Sequence, residues 1–446
     1  MRLAWFSPWP PDRSGVAGRS AELVPALAAA GHGIDVCVRE TAVDTRHPDG
    51  PPSAGQVRVQ SAHDFLWRAM RGQYDLTVYQ LGNSHLHEFI WPYLFRWPGL
   101  AVLHDARLHH ARAAAHLLRQ GAARYRNEFA WNHPDVAPDA AELGVSGFDG
   151  AYYYMWPMIR DVVMVSRTTA VHSLGAASEL QSACPGEPVE YLTLGEGREV
   201  PFSEPERQSA RAAFGFASDT VAFGVFGGLT VEKRVPQIIR AFRACLGARP
   251  SSRLLLAGNV HPSLEWRRHA REAGIEEAVV LRQDLDDLAF DQAVAAVDVS
   301  LNLRWPSALE TSGPWLRALA AGRATIVTDS VHQSHVPSID PRTWQSIDDE
   351  PVTIAIDILD EAHSLGLALG RLATDSALRD RLGRAARRYW ERTHTFARMR
   401  DEYLAVIDRA ANRTRTVPRP PVLEYDPLSQ ARALTAGFGD LSCELF

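Results

Sequence analysis

The sequence predicts an α/β protein with two domains, each built on a parallel β-sheet, and three observations support this prediction. The chain has 446 residues, which is too long for one ordinary hydrophobic core. Near the N-terminus, and again near residue 220, an apolar run is followed by a glycine-containing turn and an amphipathic helix. Residues 297–329 then read as strand, polar turn, helix and strand, which is the order of a parallel β-α-β unit.

Composition narrows the class of protein. The hydrophobic fraction of 46% and the charged fraction of 22% are ordinary for a globular chain. The net charge of −6 gives no general attraction to nucleic acid. The four cysteines have no CxxC spacing and predict neither a zinc site nor a disulfide framework. Three prolines among residues 8–11 interrupt the place of a signal peptide, and no apolar run could span a bilayer, so we expect a cytoplasmic protein.

The first β-α-β unit places two glycines at a sheet edge. Residues 3–6 are a predicted strand, a loop with Gly15 and Gly18 follows, and a helix is predicted from about residue 18 to residue 30. Open α/β sheets bind ligands at the carboxyl ends of their strands, so this loop is a candidate binding loop. Such glycines are also common as simple turn residues, which is the alternative interpretation.

Polar residues follow two further predicted strands of the first domain. Asn83 and His85 come after the strand at residues 76–79, and His104 and Asp105 end the strand at residues 101–104. A histidine at a strand end is more often structural than catalytic. Its place at the ligand-binding edge nevertheless makes His104 a candidate binding residue.

Residues 107–126 are rich in Arg and His, and two interpretations fit this composition. Such a basic segment is typical either of a solvated helix that covers the first domain or of a helix lying on an anionic membrane surface. Residues 132–148, rich in Pro, Gly and acidic residues, are predicted to form an insertion or a mobile loop.

The second domain begins with another strand, glycine turn and helix. The strand is predicted at residues 221–226, and Gly228, Lys233 and Arg234 follow it before the helix. A lysine at a helix N-terminus opposes the helix dipole, so stability alone does not explain Lys233. Gly258 closes the next predicted strand in the same way.

The unit at residues 297–329 carries Glu310, Thr311, Ser312 and Gly313 in its turn, directly before a helix that Pro314 opens. A helix N-terminus offers unpaired N–H groups and a partial positive charge, which suit a phosphate or a sugar hydroxyl. The alternative is a capping turn with an exposed glutamate.

This turn resembles the donor-site motif of the retaining glycosyltransferases of family 4 (glycosyl transferases group 1), which have the GT-B fold. Glu310 matches the first Glu of the family pattern. The second Glu is absent, because its place is Ala318 by strict spacing or Arg317 when the helix ends are aligned. The usual contact of that second Glu with the nucleotide ribose is therefore not expected here.

The earlier turn is similar to the family motif Gly-Arg-Leu-x-x-x-Lys-Gly, whose Arg and Lys neutralise the donor diphosphate. Lys233 matches the Lys, whereas Gly228 stands in place of the Arg and Arg234 in place of the Gly. One cation of the motif is kept. Arg234, in the neighbouring position, is the nearest residue that could replace the missing Arg.

The resemblance covers nearly all of residues 1–409 and implies a GT-B architecture, with two Rossmann-like domains facing across a cleft and a C-terminal helix returning to the N-domain. The implied segments are an acceptor-binding domain at residues 1–195, a linker at 196–215, a nucleotide-sugar-binding domain at 216–389, a crossover helix at 390–411 and a Pro-containing tail at 412–446.

The implied reaction moves a hexosyl unit, with retention, from a nucleotide-diphosphate sugar to a hydroxyl of a glycan, a lipid-linked or a small-molecule acceptor. The residues implied to act in catalysis are Glu310, His104 and Lys233. Those implied to bind the donor are Gly15, Gly18, Gly228, Lys233, Arg234, Gly258, Glu310, Thr311, Ser312 and Gly313, and those implied to bind the acceptor are Asn83, His85 and Asp105.

No cofactor or metal is expected, and UDP and GDP are not distinguished as donor nucleotides. A membrane-bound acceptor would bring peripheral contact with the inner membrane face. Two alternatives stay open. One is another GT-B enzyme, such as a phosphorylase or a hydrolysing epimerase. The other is a non-catalytic nucleotide-sugar binder or partner subunit, which the missing Arg and the missing second Glu make credible.

Overall fold

The computed structural model of the 446-residue chain describes residues 1–12, 14–39, 50–148, 150–330, 333–346 and 350–414. The chain divides into two compact units. The first comprises Met1–Ala170, Leu180–Glu190 and the chain from Val406, and the second comprises Val171–Glu179 and Tyr191–Ala405. Nearly all of the predicted tail lies outside the described residues.

The first unit is built on a seven-stranded sheet. Its strands are β1 Arg2–Phe6, β2 Gly33–Val38, β3 Val57–Ser61, β4 Leu76–Leu81, β5 Leu100–Leu103, β6 Thr168–Val171 and β7 Val189–Tyr191. Their order is β3-β2-β1-β4-β5-β6-β7, and the pairs from β3 to β5 are parallel. Almost all residues of β1, β2 and β4 are buried because parallel sheets are covered by helices on both sides.

Helices and short helical turns connect these strands. They are Gly15–Ala29, Ala62–Met70, His85–Ile90, Trp91–Arg96, His109–Ala115, His116–Gln120, Ala122–Asn132, Ala140–Val145, Tyr152–Met155, Arg160–Val165 and Leu174–Ala183. The first of them begins at Gly15, earlier than predicted, because the Ser14 side chain caps it by accepting from the Ala17 N–H at 3.1 Å. Gly15 and Gly18 therefore lie in the first turn of a helix.

The Arg- and His-rich segment is not one helix. Gly121, with φ +97°, interrupts it, and the residues before this glycine form a π-helical turn. Arg112 is buried, where its guanidinium pairs with the Glu128 carboxylate at 2.5 and 2.6 Å, and His116 contacts the same carboxylate at 2.6 Å. Some of the basic residues of this segment therefore form a buried ion cluster within the first unit. The segment at residues 132–148, predicted as an insertion or a loop, contains the helix Ala140–Val145.

The second unit is built on an eight-stranded sheet. Its strands are β8 Ala222–Phe226, β9 Arg253–Ala257, β10 Val279–Arg282, β11 Val299–Asn302, β12 Ala324–Thr328, β13 Ser338–Asp340, β14 Gln345–Ser346 and β15 Thr353–Ile356. Their order is β10-β9-β8-β11-β12-β15-β13-β14, and every pair is parallel except β13–β14.

Helices again connect the strands of this unit. They are Glu204–Ala213, Val231–Lys233, Val235–Ala248, Trp266–Glu272, Glu276–Ala278, Asp287–Ala296, Gly313–Ala320, Ile358–Asp360, Glu361–Thr374, Ser376–Thr393 and Phe396–Ala411. The helix Val235–Ala248 buries Ile238, Ile239 and Phe242 against the sheet, as its sequence periodicity predicts. The last helix begins in the second unit, and its residues from Val406 belong to the first.

Two glycine turns shape the carboxyl edge of the second sheet. Gly227 follows β8 with φ +81°, and Gly258 follows β9 with φ +147°. Residues other than glycine rarely adopt these backbone conformations. A Cβ on Gly258 would collide with the Gly227 carbonyl oxygen. The turns therefore pack backbone against backbone, which brings the loop after β8 close to the sheet edge.

Among the described helices, none has the length and apolarity needed to cross a bilayer.

Candidate functional site

Lys233 lies in the turn that follows β8 in the second unit. Its Nζ donates a hydrogen bond to the Phe226 carbonyl oxygen. A Cβ on Gly227 would lie 2.8 Å from this Nζ, so the glycine leaves the space that the ammonium occupies. Burial and, to a smaller extent, the positive charge of Arg304 lower the pKa of Lys233 to about 7, and Glu310 acts in the opposite direction.

Glu310 lies in the turn after β11, opposite this lysine. Its carboxylate forms an ion pair with Arg304, and Oε2 also accepts from the Ser307 hydroxyl at 3.0 Å. The Trp305 N–H donates to the Glu232 carbonyl oxygen at 2.8 Å, which ties the turn after β11 to the turn after β8. The two motif turns of the sequence therefore meet at one place.

A polar pocket lies between these turns, with about 430 Å³ of space, part of it open to solvent. Its lining residues share the carboxyl edge of the sheet and are Phe226, Lys233, Leu301, Asn302, Leu303, Arg304, Glu310, Ser312, Thr328, Ser330 and Gln333. Two cations, one carboxylate and several hydroxyl and amide groups can bind an anion beside a polyhydroxylated group.

The helix Gly313–Ala320 begins beside this pocket. Ser312 is its N-cap and accepts from the Trp315 N–H at 3.3 Å, whereas the Thr311 hydroxyl donates to the His172 carbonyl oxygen at 2.6 Å. A Cβ on Gly313 would lie 3.7 Å from the Glu196 carboxylate carbon. Of these turn residues, Ser312 is the one that lines the pocket, and Thr311 has a structural contact.

Arg234, the nearest substitute for the missing motif arginine, has another partner. Its φ is +60°, and its guanidinium donates to both carboxylate oxygens of Glu361, at 2.7 and 2.5 Å. It is not among the described residues that line the pocket. The second cation there is Arg304, which the sequence analysis did not single out. Gly228 is exposed in the same turn, and Gly258 supports it through Gly227.

Arg317 stands where the helix alignment expects the second Glu. Its guanidinium donates to Glu196 at 2.6 Å, to Asp291 at 3.0 Å and to Asp287 at 3.1 Å. Burial raises the pKa of Asp291, while Arg317 acts in the opposite direction. Carboxylates are thus present around this helix position, but they come from other elements of the second unit.

The candidate residues of the first unit also come together at a sheet edge. Asp105 accepts from the Asn83 backbone N–H at 2.7 Å, and the Asn83 side chain lies 3.3 Å from His110 Nδ1. His104 Nε2 is 2.8 Å from the Gln80 side-chain oxygen. His85 is exposed at the start of the short helical turn after β4. These polar groups lie at the carboxyl ends of β4 and β5, the edge that the sequence predicts.

A metal site is not evident in the parts of the chain that the structure describes, because no three His, Cys, Asp or Glu side chains are grouped to hold an ion there. No protein-family model matches the chain, and no curated protein matches it.

Solved structures do match the chain. HepE from Anabaena, in complex with UDP and glucose, superposes with a TM-score of 0.61 at 12% identity, over 92% of this chain and 100% of HepE. Sucrose-phosphate synthase from Thermosynechococcus elongatus gives 0.63 at 16% identity, over 91% and 98% of the two chains. The chain has the GT-B fold.

A third similar structure is WaaG, a glycosyltransferase involved in lipopolysaccharide biosynthesis, with a TM-score of 0.61 at 15% identity over 91% of this chain and 99% of WaaG. The prediction of two α/β units with parallel sheets in a GT-B fold is confirmed. Identities of this size establish the fold alone.

One sequence feature that would have marked the site more strongly is the rarity of lysine. Lys233 is the only lysine in the chain, and all other members of the 47 Lys and Arg residues are arginines. An ammonium is a compact point charge with a pKa that burial can lower, whereas a guanidinium stays charged. The single lysine of the chain therefore lies in the pocket.

Proposed function

We propose that this protein is a retaining glycosyltransferase of the family 4 type, which moves a hexosyl unit from a nucleotide-diphosphate sugar to an acceptor hydroxyl. The observation that carries the proposal is the convergence of Lys233, Arg304 and Glu310 on one pocket of the second unit. The GT-B glycosyltransferases of similar structure support the reaction class, and UDP is the first nucleotide to test because HepE is seen with UDP and UDP-glucose.

The charges of the pocket fit the electrostatics of this reaction. As the glycosidic bond to the diphosphate breaks, negative charge grows on the leaving phosphate and positive charge on the sugar ring. Lys233 stabilises the former, and the Glu310 carboxylate orients the sugar hydroxyls beside the latter. The leaving group is neutralised by side chains of this chain, so we propose a reaction without a metal or other cofactor.

We assign the nucleotide sugar to the second unit and the acceptor to the first. The polar cluster of Asn83, His85 and Asp105 offers acceptors and donors for hydroxyl groups at the carboxyl edge of the first sheet, and His104 is assigned a hydroxyl contact there. The acceptor is a hydroxyl of a glycan, a lipid-linked sugar or a small molecule, and an acceptor screen covers these three classes.

A panel of UDP, GDP, ADP, TDP and CDP tests the donor site by thermal stabilisation. A ligand at about 100 times its Kd stabilises the folded protein by about 2.7 kcal/mol, which raises Tm by several degrees. The sugar donors of the nucleotide that shifts Tm are then assayed for transfer, with NMR to establish the anomeric configuration of the product.

Glu310→Gln tests the role of the carboxylate. We expect transfer to fall by about 100-fold or more while nucleotide binding is kept, because the amide preserves shape but not charge. Glu350→Gln is the matched control, since Glu350 is exposed and pairs with Arg388 on the surface. Nucleotide binding without transfer in the wild-type protein, for any donor and acceptor, would instead favour a non-catalytic nucleotide-sugar binder.

A further inference from the structure

Arg304 is anchored at the carboxyl end of β11 by its backbone. Its N–H donates to the Thr328 hydroxyl at 3.0 Å, and the N–H of the next residue, Trp305, donates to the Glu232 carbonyl oxygen at 2.8 Å. These bonds hold the Arg304 backbone against β12 on one side and the turn before Lys233 on the other. The side chain, 33% exposed, enters the pocket from this fixed position.

The ion pair of Arg304 occupies the carboxylate that the proposed reaction needs. One oxygen of Glu310 faces the guanidinium, and the other accepts from the Ser307 hydroxyl. Lys233 lines the same pocket, and Glu310 is the one carboxylate among the described lining residues. A diphosphate carries more negative charge than a single carboxylate and matches the fork of a guanidinium with two oxygens.

The other cations that flank these turns are already committed. Arg234 is held by both oxygens of Glu361, and Arg317 by Glu196 together with two aspartates. Releasing either one would leave a partly buried carboxylate without its partner, which is costly. Glu310 is buried to a similar extent, at 14% exposed, but it keeps the Ser307 hydrogen bond when Arg304 leaves, and it lines the pocket, where ligand hydroxyl groups can replace the guanidinium.

We infer that Arg304 is the second cation of the diphosphate site, and that it exchanges its ion pair with Glu310 for the phosphates when the nucleotide binds. The inference rests on the proposed function and adds a residue to it. The exchange couples the two parts of the donor, because the phosphates remove the guanidinium from Glu310 and so free the carboxylate for sugar hydroxyls.

The test compares Arg304→Gln, Arg304→Lys and the wild-type protein by calorimetric titration with the nucleoside diphosphate that gives the largest Tm shift in the panel, and with its monophosphate and free nucleoside. Arg342→Gln is the control for loss of one positive charge, since Arg342 pairs with two aspartates on the surface of the same unit. Circular dichroism and Tm establish that each variant is folded.

We expect Arg304→Gln to weaken diphosphate binding by about 10- to 100-fold, which corresponds to about 1.4 to 2.8 kcal/mol. Binding of the free nucleoside should stay within about twofold, and Arg304→Lys should recover part of the loss because it keeps the charge. The affinity ratio of diphosphate to monophosphate should fall in the glutamine variant and stay unchanged in the control.

Equal diphosphate affinity of the wild-type protein and folded Arg304→Gln would overturn the inference, and Arg304 would then only orient Glu310. If Arg304→Gln does not fold, Arg304→Lys decides, since a lysine that loses the two-oxygen contact should still weaken diphosphate binding more than nucleoside binding. A wild-type protein that binds no nucleoside diphosphate would instead remove the proposed function, which is a distinct result.

Discussion

The ammonium of Lys233 should make both folding and nucleotide binding depend on pH. Burial lowers its pKa from the ordinary 10.5 to about 7 in the folded protein. Between these two values the unfolded chain binds one more proton than the folded chain, so stability from this group rises with pH across that window. Below pH 7 both states are protonated, and the folded protein bears the full cost of the buried charge.

The size of this cost is the difference between the two pKa values, 10.5 and about 7, multiplied by about 1.36 kcal/mol per pKa unit. The product, about 5 kcal/mol, is an upper bound because the side chain keeps some exposure to solvent. Lys233→Met should therefore be more stable than the wild-type protein at about pH 6, and this difference should shrink as the pH rises towards 10. Urea unfolding at several pH values measures both effects.

Nucleotide binding should reverse the effect of burial. At about pH 8 the diphosphate is fully ionised, because phosphate groups of this kind have a last pKa near 6, while Lys233 in the free protein is mostly neutral. A bound anion favours the ammonium, so binding should take up close to one proton. Calorimetry in buffers of different ionisation enthalpy measures this uptake. Lys233→Met removes a charge-assisted hydrogen bond of about 1.5 to 3 kcal/mol and should therefore bind the nucleotide about 10- to 150-fold more weakly.

The single lysine of the chain allows a direct measurement. Lysine labelled with ¹³C at Cε gives one side-chain resonance, and its pH titration with and without nucleotide reports the pKa of Lys233 alone. Lys233→Arg is the control, because a guanidinium cannot lose its proton and should show no uptake. A titration near pH 10 in the free protein would contradict the lowered pKa of Lys233, and nucleotide affinity unchanged in Lys233→Met would exclude a phosphate contact of this side chain.

Two further substitutions test the surroundings of the site and the stability of the first unit. Gly227→Ala places a Cβ 2.8 Å from the Lys233 Nζ at φ +81°, so we expect about 1 to 3 kcal/mol lower stability together with weaker nucleotide binding, measured by urea unfolding and calorimetry. Arg112→Met leaves the buried Glu128 without its main partner and should lower the free energy of unfolding by about 3 to 5 kcal/mol. The exposed Arg126, which pairs with Glu142 at the surface, provides the comparison. Arg126→Met should cost much less than Arg112→Met, and equal losses for the two variants would contradict the prediction.

The strands, the helices and the two motif turns follow from local patterns in the sequence. Apolar residues at helical spacing in Val235–Ala248 are buried because one face of a helix must pack against the sheet, whatever the rest of the chain does. Glycines after β8 and β9 mark turns because other residues rarely adopt the backbone conformation required there. Lys233 and Glu310 could be singled out because the turns that carry them resemble two motifs of the glycosyltransferase family.

The partners of the charged groups could not be predicted in this way. Arg234 is adjacent to Lys233 in sequence, yet its guanidinium is held by Glu361, 127 residues later. Glu196, which pairs with Arg317, is 121 residues away from it. Local periodicity determines which face of an element is buried, but strand order and side-chain direction determine which charges meet. Local sequence patterns were sufficient to predict the two sheets and the two turns. That Arg304 and Lys233 line one pocket depends on the folded chain, because the turns that carry them become neighbours only when β11 pairs with β8.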